Sequence, residues 1–63
     1  MAVVLNRWNR KRYTVLEADN KSVTLQREDK STFKIERKEL FKNYVNILGN
    51  KELKNLLKSS KNS

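Results

Sequence analysis

The sequence predicts a mainly β fold, a small barrel of about five short strands followed by a short C-terminal helix. Two observations predict it. Runs of β-branched and apolar residues are separated by turn residues, and residues 51–58 place leucines at helical spacing. The chain has 63 residues, which is enough for one domain. We assign that domain to residues 1–58 and expect residues 59–63 to form a frayed polar tail.

The first strand is predicted in "AVVLNRW", and "YTVLEA" and "SVTLQRE" follow as a hairpin around "DNK". With a two-residue loop, one face of this hairpin holds Leu16, Ala18, Val23 and Leu25. With a three-residue loop, that face holds Tyr13, Val15, Val23 and Leu25. We favour the two-residue loop of Asn20 and Lys21, because asparagine tolerates the positive φ that tight turns require.

The next strand, "TFKIER", alternates with Phe33 and Ile35 on one face and polar residues on the other. Its apolar face joins Val23 and Leu25 only if the connecting loop holds an odd number of residues. Residues 28–30 form a loop of three residues, which meets this condition. The sequence therefore predicts a three-stranded meander whose apolar face needs a second layer.

Two interpretations compete for "KELFKNYVNIL", residues 38–48. In an α+β alternative, one helix over residues 37–48 covers the meander with an apolar stripe. In the favoured interpretation, a short helical turn at residues 38–43 leads into a strand at residues 44–48. Val45 and Ile47 alternate as such a strand requires, and the strand would close the barrel.

The segment "NYVNIL" resembles the "NYV" that opens the last strand of SH3 domains. The layout of residues 2–48 also resembles an SH3-like barrel: a strand, a long loop over one sheet edge, a meander, a helical turn and a last strand. In signalling SH3 domains the matching tyrosine, here Tyr44, lines a groove for proline-rich peptides. This chain lacks the "ALYDY" stretch and the paired tryptophans, so the resemblance implies the barrel and not that activity.

After Gly49, Asn50 is a predicted N-cap for a helix over residues 51–58. Leu53, Leu56 and Leu57 share one face of this helix at i, i+3 and i+4. A helix this short is not stable alone in water. We therefore expect its leucine face to pack on the barrel.

The composition is strongly basic and poor in catalytic groups. Fifteen Lys and Arg against seven Asp and Glu give a net charge of +8, and such a field attracts polyanions. The chain contains no Cys, no His and one Gly, so it offers no thiol, no usual general base and no glycine-rich phosphate loop. We expect no enzyme activity, cofactor or metal site. We also expect no membrane segment and a cytoplasmic location.

The stretch "NRWNRKRYTVLE" combines the only tryptophan with four cations. Cations neutralise phosphates and aromatic rings stack on bases, so this stretch predicts binding of DNA or RNA without strong sequence preference. The predicted interface comprises Arg7, Trp8, Arg10, Lys11, Arg12, Lys34, Arg37 and Lys42. Within it, we expect Trp8 to fill the core while the cations face outward.

The alternative function is a protein–protein module that docks on an acidic surface. Its apolar anchor would comprise Phe41, Tyr44, Leu53, Leu56 and Leu57. A homodimer through the C-terminal helix or a sheet edge is a third alternative. The small size and the Lys- and Asn-rich composition suit an accessory protein of a phage or mobile element.

Overall fold

The computed structural model describes residues 1–59, which form a five-stranded antiparallel sheet and two helices. The elements in chain order are β1 (Ala2–Asn6), β2 (Arg12–Ala18), β3 (Ser22–Gln26), β4 (Thr32–Glu36), α1 (Arg37–Asn43), β5 (Tyr44–Leu48) and α2 (Asn50–Ser59). The mainly β class and the C-terminal helix are confirmed. The strand at residues 44–48 is also confirmed, so the single helix over residues 37–48 is wrong. Ser59 ends α2, and residues 60–63 of the predicted tail lie outside the described range.

The sheet is open, which corrects the prediction of a closed barrel. Its strand order is β4-β3-β2-β1-β5, so β4 and β5 are its two edges. Helix α1 contacts both edge strands. The strands β4 and β5 are not hydrogen-bonded to each other, and the second layer is formed by α1 and α2, which contribute Leu40 and Leu53 to the core.

The hairpin of β2 and β3 combines features of both predicted registers. The Asp19 N–H donates to Ser22 O over 2.8 Å, which closes the two-residue loop, and Ala18 lies opposite Val23 as predicted. A β-bulge then shifts the register, so Val15 rather than Leu16 lies opposite Leu25. One extra residue on a strand reverses the faces beyond it. Tyr13 and Val15 are therefore buried, whereas Leu16 faces outward.

The predicted role of Asn20 in that loop is wrong. Within residues 1–59, the non-glycine residues with positive φ are Arg10 and Lys30. The Asp19 carboxylate stabilises the loop instead, because its Oδ1 accepts the N–H groups of Lys21 and Ser22 at 3.0 and 2.7 Å. This is an Asx turn, in which a side chain replaces a backbone acceptor.

The hairpin of β3 and β4 is as predicted. Val23 lies opposite Ile35 and Leu25 opposite Phe33. The Arg27 N–H donates to Ser31 O over 2.8 Å, so residues 28–30 form a three-residue loop. Lys30, with φ of 73°, supplies the left-handed residue common in such loops.

The core lies between the concave face of the sheet and the two helices. It is formed by Ala2, Val4, Tyr13, Val15, Val23, Leu25, Leu40, Tyr44 and Leu53. The Tyr13 ring is edge-on to Phe33 and Tyr44, with centroids 5.5 and 5.8 Å apart. Leu53 of α2 is buried and Leu56 and Leu57 pack against the core, which confirms the predicted packing of this helix. Neither α1 nor the described part of α2 has the length and apolar character needed to cross a bilayer.

Candidate nucleic-acid interface

Three separate segments meet at one end of the sheet. The register places Leu5 opposite Arg12, Asn6 opposite Tyr44 and Gln26 opposite Thr32. The loop after β1, the loop after β3 and the last residues of α1 therefore lie together. We call this region, residues 6–12, 27–31 and 42–43, the basic end.

Acids, and therefore net charge, are unevenly divided between the basic end and the rest of the chain. The basic end carries Arg7, Arg10, Lys11, Arg12, Arg27, Lys30 and Lys42, with Glu28 and Asp29 as its only acids. The remaining acids are Glu17, Asp19, Glu36, Glu39 and Glu52. Among these, Glu36 lies opposite Ser22 at the far end, and Glu52 pairs with the Met1 amino group at 3.1 Å. The basic end therefore has a net charge of +5 and the rest of the chain, with eight cations and five acids, a net charge of +3, so the basic end contributes the larger share of the positive field.

The loop of residues 7–11 is a short, internally bonded turn between β1 and β2, so the expected long loop across the sheet edge is wrong. Asn6 Oδ1 accepts the N–H groups of Trp8 and Asn9 at 2.8 and 3.0 Å. Asn9 Oδ1 accepts the N–H of Lys11 at 2.8 Å, and Asn9 Nδ2 donates to the Tyr13 hydroxyl at 3.1 Å. Two asparagine side chains thus fix the loop conformation.

Trp8 is exposed, and the expectation that it fills the core is wrong. Eighty per cent of its surface is accessible. Its Nε1–H donates to Asn43 Oδ1 at 3.0 Å, which ties one edge of the ring to the end of α1. The rings of Tyr13, Phe33 and Tyr44 already fill the adjacent core. The indole therefore lies outside the core among cationic side chains.

The predicted cations divide into two groups. Arg7, Arg10, Lys11, Arg12 and Lys42 share the basic end. Arg7 also donates from a guanidinium nitrogen to Lys42 O at 3.3 Å, and Arg7, Trp8, Lys42 and Asn43 line one shallow groove. A second groove is lined by Lys11, Arg12, Tyr13, Arg27, Glu28 and Asp29.

Lys34 and Arg37 lie away from the basic end. The pKa of Asp19, in the opposite loop, is lowered mainly by the N–H groups of Lys21 and Ser22 and slightly by the Lys34 charge. Arg37 is half-buried and donates to the carbonyl oxygens of Asp19 and Leu57, each at 3.2 Å. Arg37 thus links the loop after β2 to α2.

Sequence reasoning missed Arg27 and Lys30, which also lie at the basic end. The Arg27 guanidinium lies 4.2 Å from the centroid of the Phe33 ring, a cation–π contact that orients it beside the second groove. The sequence feature that could have placed these two residues is the predicted three-residue loop after β3. A meander with that loop returns residues 27–31 to the same end as the loop after β1.

The residues of the alternative apolar anchor are mostly used inside the domain. Tyr44 and Leu53 are buried, and Leu56 and Leu57 are partly buried against the core. Phe41 is 64% exposed. Other exposed apolar side chains lie on β5, namely Val45, Ile47 and Leu48.

No family model, curated protein or solved structure matches this chain. Within residues 1–59, no three carboxylates converge as potential metal ligands. The geometry and charge of the basic end are therefore the features of this chain that bear on its function.

Proposed function

We propose that this chain is a non-enzymatic nucleic-acid-binding protein that contacts phosphates without strong sequence preference. The observation that supports it is that seven cations from three segments lie at one end of the sheet, which also carries an exposed tryptophan with Arg7 and Lys42 beside it. Binding of this kind gains free energy by releasing counterions from the phosphate backbone. It needs a charged surface and no base-specific side chains.

A salt titration of binding to short labelled duplex and single-stranded oligonucleotides tests this function. If about five cations contact phosphates, the slope of log K against log salt is about −3.5 for single strands and −4.5 for duplex. Lys11→Gln and Lys42→Gln should each weaken binding and reduce the single-strand slope by about 0.7. Both residues are exposed, so neither change should disturb the fold.

Lys21→Gln is the matched control, because it removes the same charge from an exposed position in the loop after β2, at the opposite end of the sheet. Its slope should equal that of the wild type. Equal losses in Lys21→Gln and Lys42→Gln would mean that net charge alone drives binding. No binding at about 50 mM salt would rule out the proposed function.

A second candidate function is self-association through β5. The edge strand β4 carries Lys34 and Glu36, which discourage edge pairing, whereas β5 exposes Val45, Ile47 and Leu48 without a charged residue. Ile47→Lys should abolish any dimer seen by sedimentation at high protein concentration. A monomeric wild type would exclude this candidate.

The setting we propose is that of a cytoplasmic accessory protein of a phage or mobile element, which its small size and basic composition favour. An SH3-like layout is also part of the proposal. The order of strand, loop, meander, helical turn and strand supports it. The open sheet and the short first loop depart from that layout.

A further inference from the structure

We propose that the basic end binds single-stranded nucleic acid with one unpaired base stacked on Trp8. This inference rests on the proposed function and names its substrate class. Trp8 is exposed, and an indole that is 80% accessible contributes little to the core. Aromatic rings in positively charged grooves are the usual platforms for bases of single strands.

The Trp8 ring is held in place before any ligand binds. Its edge is fixed by the bond to Asn43, and its backbone N–H is held by Asn6. The second half of the loop is held by Asn9 through the Lys11 N–H. Fixing a binding group in advance reduces the entropy lost on association. An indole needed only for solvent contact would not require these bonds.

Cations line the grooves on both sides of the Trp8 loop, so the phosphates of a strand stacked on Trp8 would pass beside them. Arg7 and Lys42 line the same groove as Trp8, and Lys11, Arg12 and Arg27 line the groove on the other arm of the loop. Glu28 and Asp29 also line that second groove. The groove of Arg7 and Lys42, which has no acid in its lining, is therefore the better phosphate path.

The proposed stacking on Trp8 distinguishes single-stranded from duplex nucleic acid, because base pairing leaves no base free to stack. In a duplex the faces of the bases are covered by their neighbours, so Trp8 can stack only on an unpaired base. The cations, in contrast, can contact the phosphates of either form. Stacking should therefore add affinity for single strands alone.

The test compares three ligands of similar charge and about 12 nucleotides: oligothymidylate, an abasic oligonucleotide of the same length, and a hairpin duplex closed by a non-nucleotide linker, which has no unpaired base. Oligouridylate is a fourth ligand that separates DNA from RNA. We expect oligothymidylate to bind at least about fivefold more tightly than the abasic strand and to quench Trp8 fluorescence. Trp8→Ala should remove this difference and leave the salt slope unchanged. Trp8→Phe should restore most of it.

Circular dichroism of both variants checks that the fold is intact. Equal affinity for the abasic strand and oligothymidylate, or full affinity in Trp8→Ala, would overturn the stacking proposal while the salt slope still supported phosphate binding. Absence of binding to every ligand would overturn the proposed function as well. Quenching by polyglutamate but not by oligothymidylate would overturn both in favour of an acidic protein partner.

Discussion

The indole Nε1 of Trp8 donates a 3.0 Å hydrogen bond to Oδ1 of Asn43, 35 residues further along the chain. This bond joins the loop after β1 to the last residue of α1. The Arg7 N–H reinforces the same junction, because it donates to the backbone oxygen of Asn43 at 2.7 Å. The orientation of the exposed ring therefore depends on where α1 ends.

Asn43→Ala should free the Trp8 ring without unfolding the domain. A hydrogen bond at an exposed site contributes at the low end of about 0.5–1.5 kcal/mol, so the free energy of unfolding should fall by at most about 0.5 kcal/mol. Time-resolved anisotropy of Trp8 should show faster local motion. Asn43→Asp keeps an acceptor at the same place and should preserve the slow motion. Unchanged anisotropy in Asn43→Ala would show that this bond does not hold the ring.

Arg37→Ala should destabilise the fold without altering the salt dependence of nucleic-acid binding. The guanidinium joins Asp19 O to Leu57 O, and loss of these charge-assisted bonds should cost about 1–2 kcal/mol. Urea denaturation measures the loss, and amide exchange should show faster opening of α2.

Arg37→Lys is the matched control for that variant. It keeps the charge, but a lysine ammonium cannot contact two carbonyl groups as a guanidinium fork does. It should therefore recover less than half of the lost stability. If Arg37→Lys were as stable as the wild type, charge rather than geometry would explain the role of Arg37.

Most of the sheet could be predicted from the alternation of apolar and polar residues along the strands and from the odd number of residues in the loop after β3. Because Phe33 and Ile35 alternate and the loop of residues 28–30 holds an odd number of residues, the pairing of Val23 with Ile35 followed directly. The bulge after Val15 could not be predicted, since one inserted residue leaves no mark in the composition of "YTVLEA" yet exchanges Leu16 for Val15 in the core. Tertiary packing selected that register, because it buries the larger Tyr13 ring.

The candidate site was only partly predictable. The cations of the first loop were evident from their density. The exposure of Trp8 was not, since a large aromatic residue in a small domain is usually needed in the core. Here Tyr13 and Tyr44 occupy the adjacent core. The contribution of Arg27 depends on the convergence of two loops, which becomes visible only after the strand register is known.

The stability of the domain should decrease in acid because of Asp19 and Asp29. The pKa of Asp19 is lowered chiefly by the N–H of Lys21, and the pKa of Asp29 is lowered chiefly by the Ser31 hydroxyl. A carboxyl whose pKa is lower in the folded state stabilises the fold above its unfolded pKa and loses that effect as pH falls through the folded value. The melting temperature should therefore be insensitive to these groups above about pH 5 and fall below about pH 4.

The double variant Asp19→Asn, Asp29→Asn tests this assignment. Asparagine keeps an acceptor oxygen in both loops and removes the titration, so the decline of the melting temperature below about pH 4 should be shallower than in the wild type. Glu28→Gln removes a carboxylate from the same loop as Asp29 and serves as the control. An equal flattening in Glu28→Gln would assign the acid sensitivity to general charge repulsion.

Gly49→Ala should be among the most destabilising single changes in the chain. Gly49 has φ of +66°, and a Cβ at this position would lie 2.9 Å from Ala2 Cα and also too close to the Met1 backbone. The residue joins β5 to α2, and its carbonyl accepts the Leu53 N–H at 2.9 Å. Ala2 is fully buried in β1, so relief of the contact with its Cα requires that strand to shift, and we expect a loss of at least about 2 kcal/mol in urea denaturation.

Variants of Lys30 separate the two causes of that loss, which are the positive φ and the steric contact of a Cβ with Met1 and Ala2. It has a similar φ of 73° and lies exposed in the loop after β3, so the difference between Lys30→Gly and Lys30→Ala measures the cost of positive φ alone, about 1 kcal/mol. The loss in Gly49→Ala should exceed this difference, since the close approach to Met1 and Ala2 adds to it. An equal loss at the two positions would mean that the first strand relaxes away from residue 49 and that the contact is not a constraint on the fold.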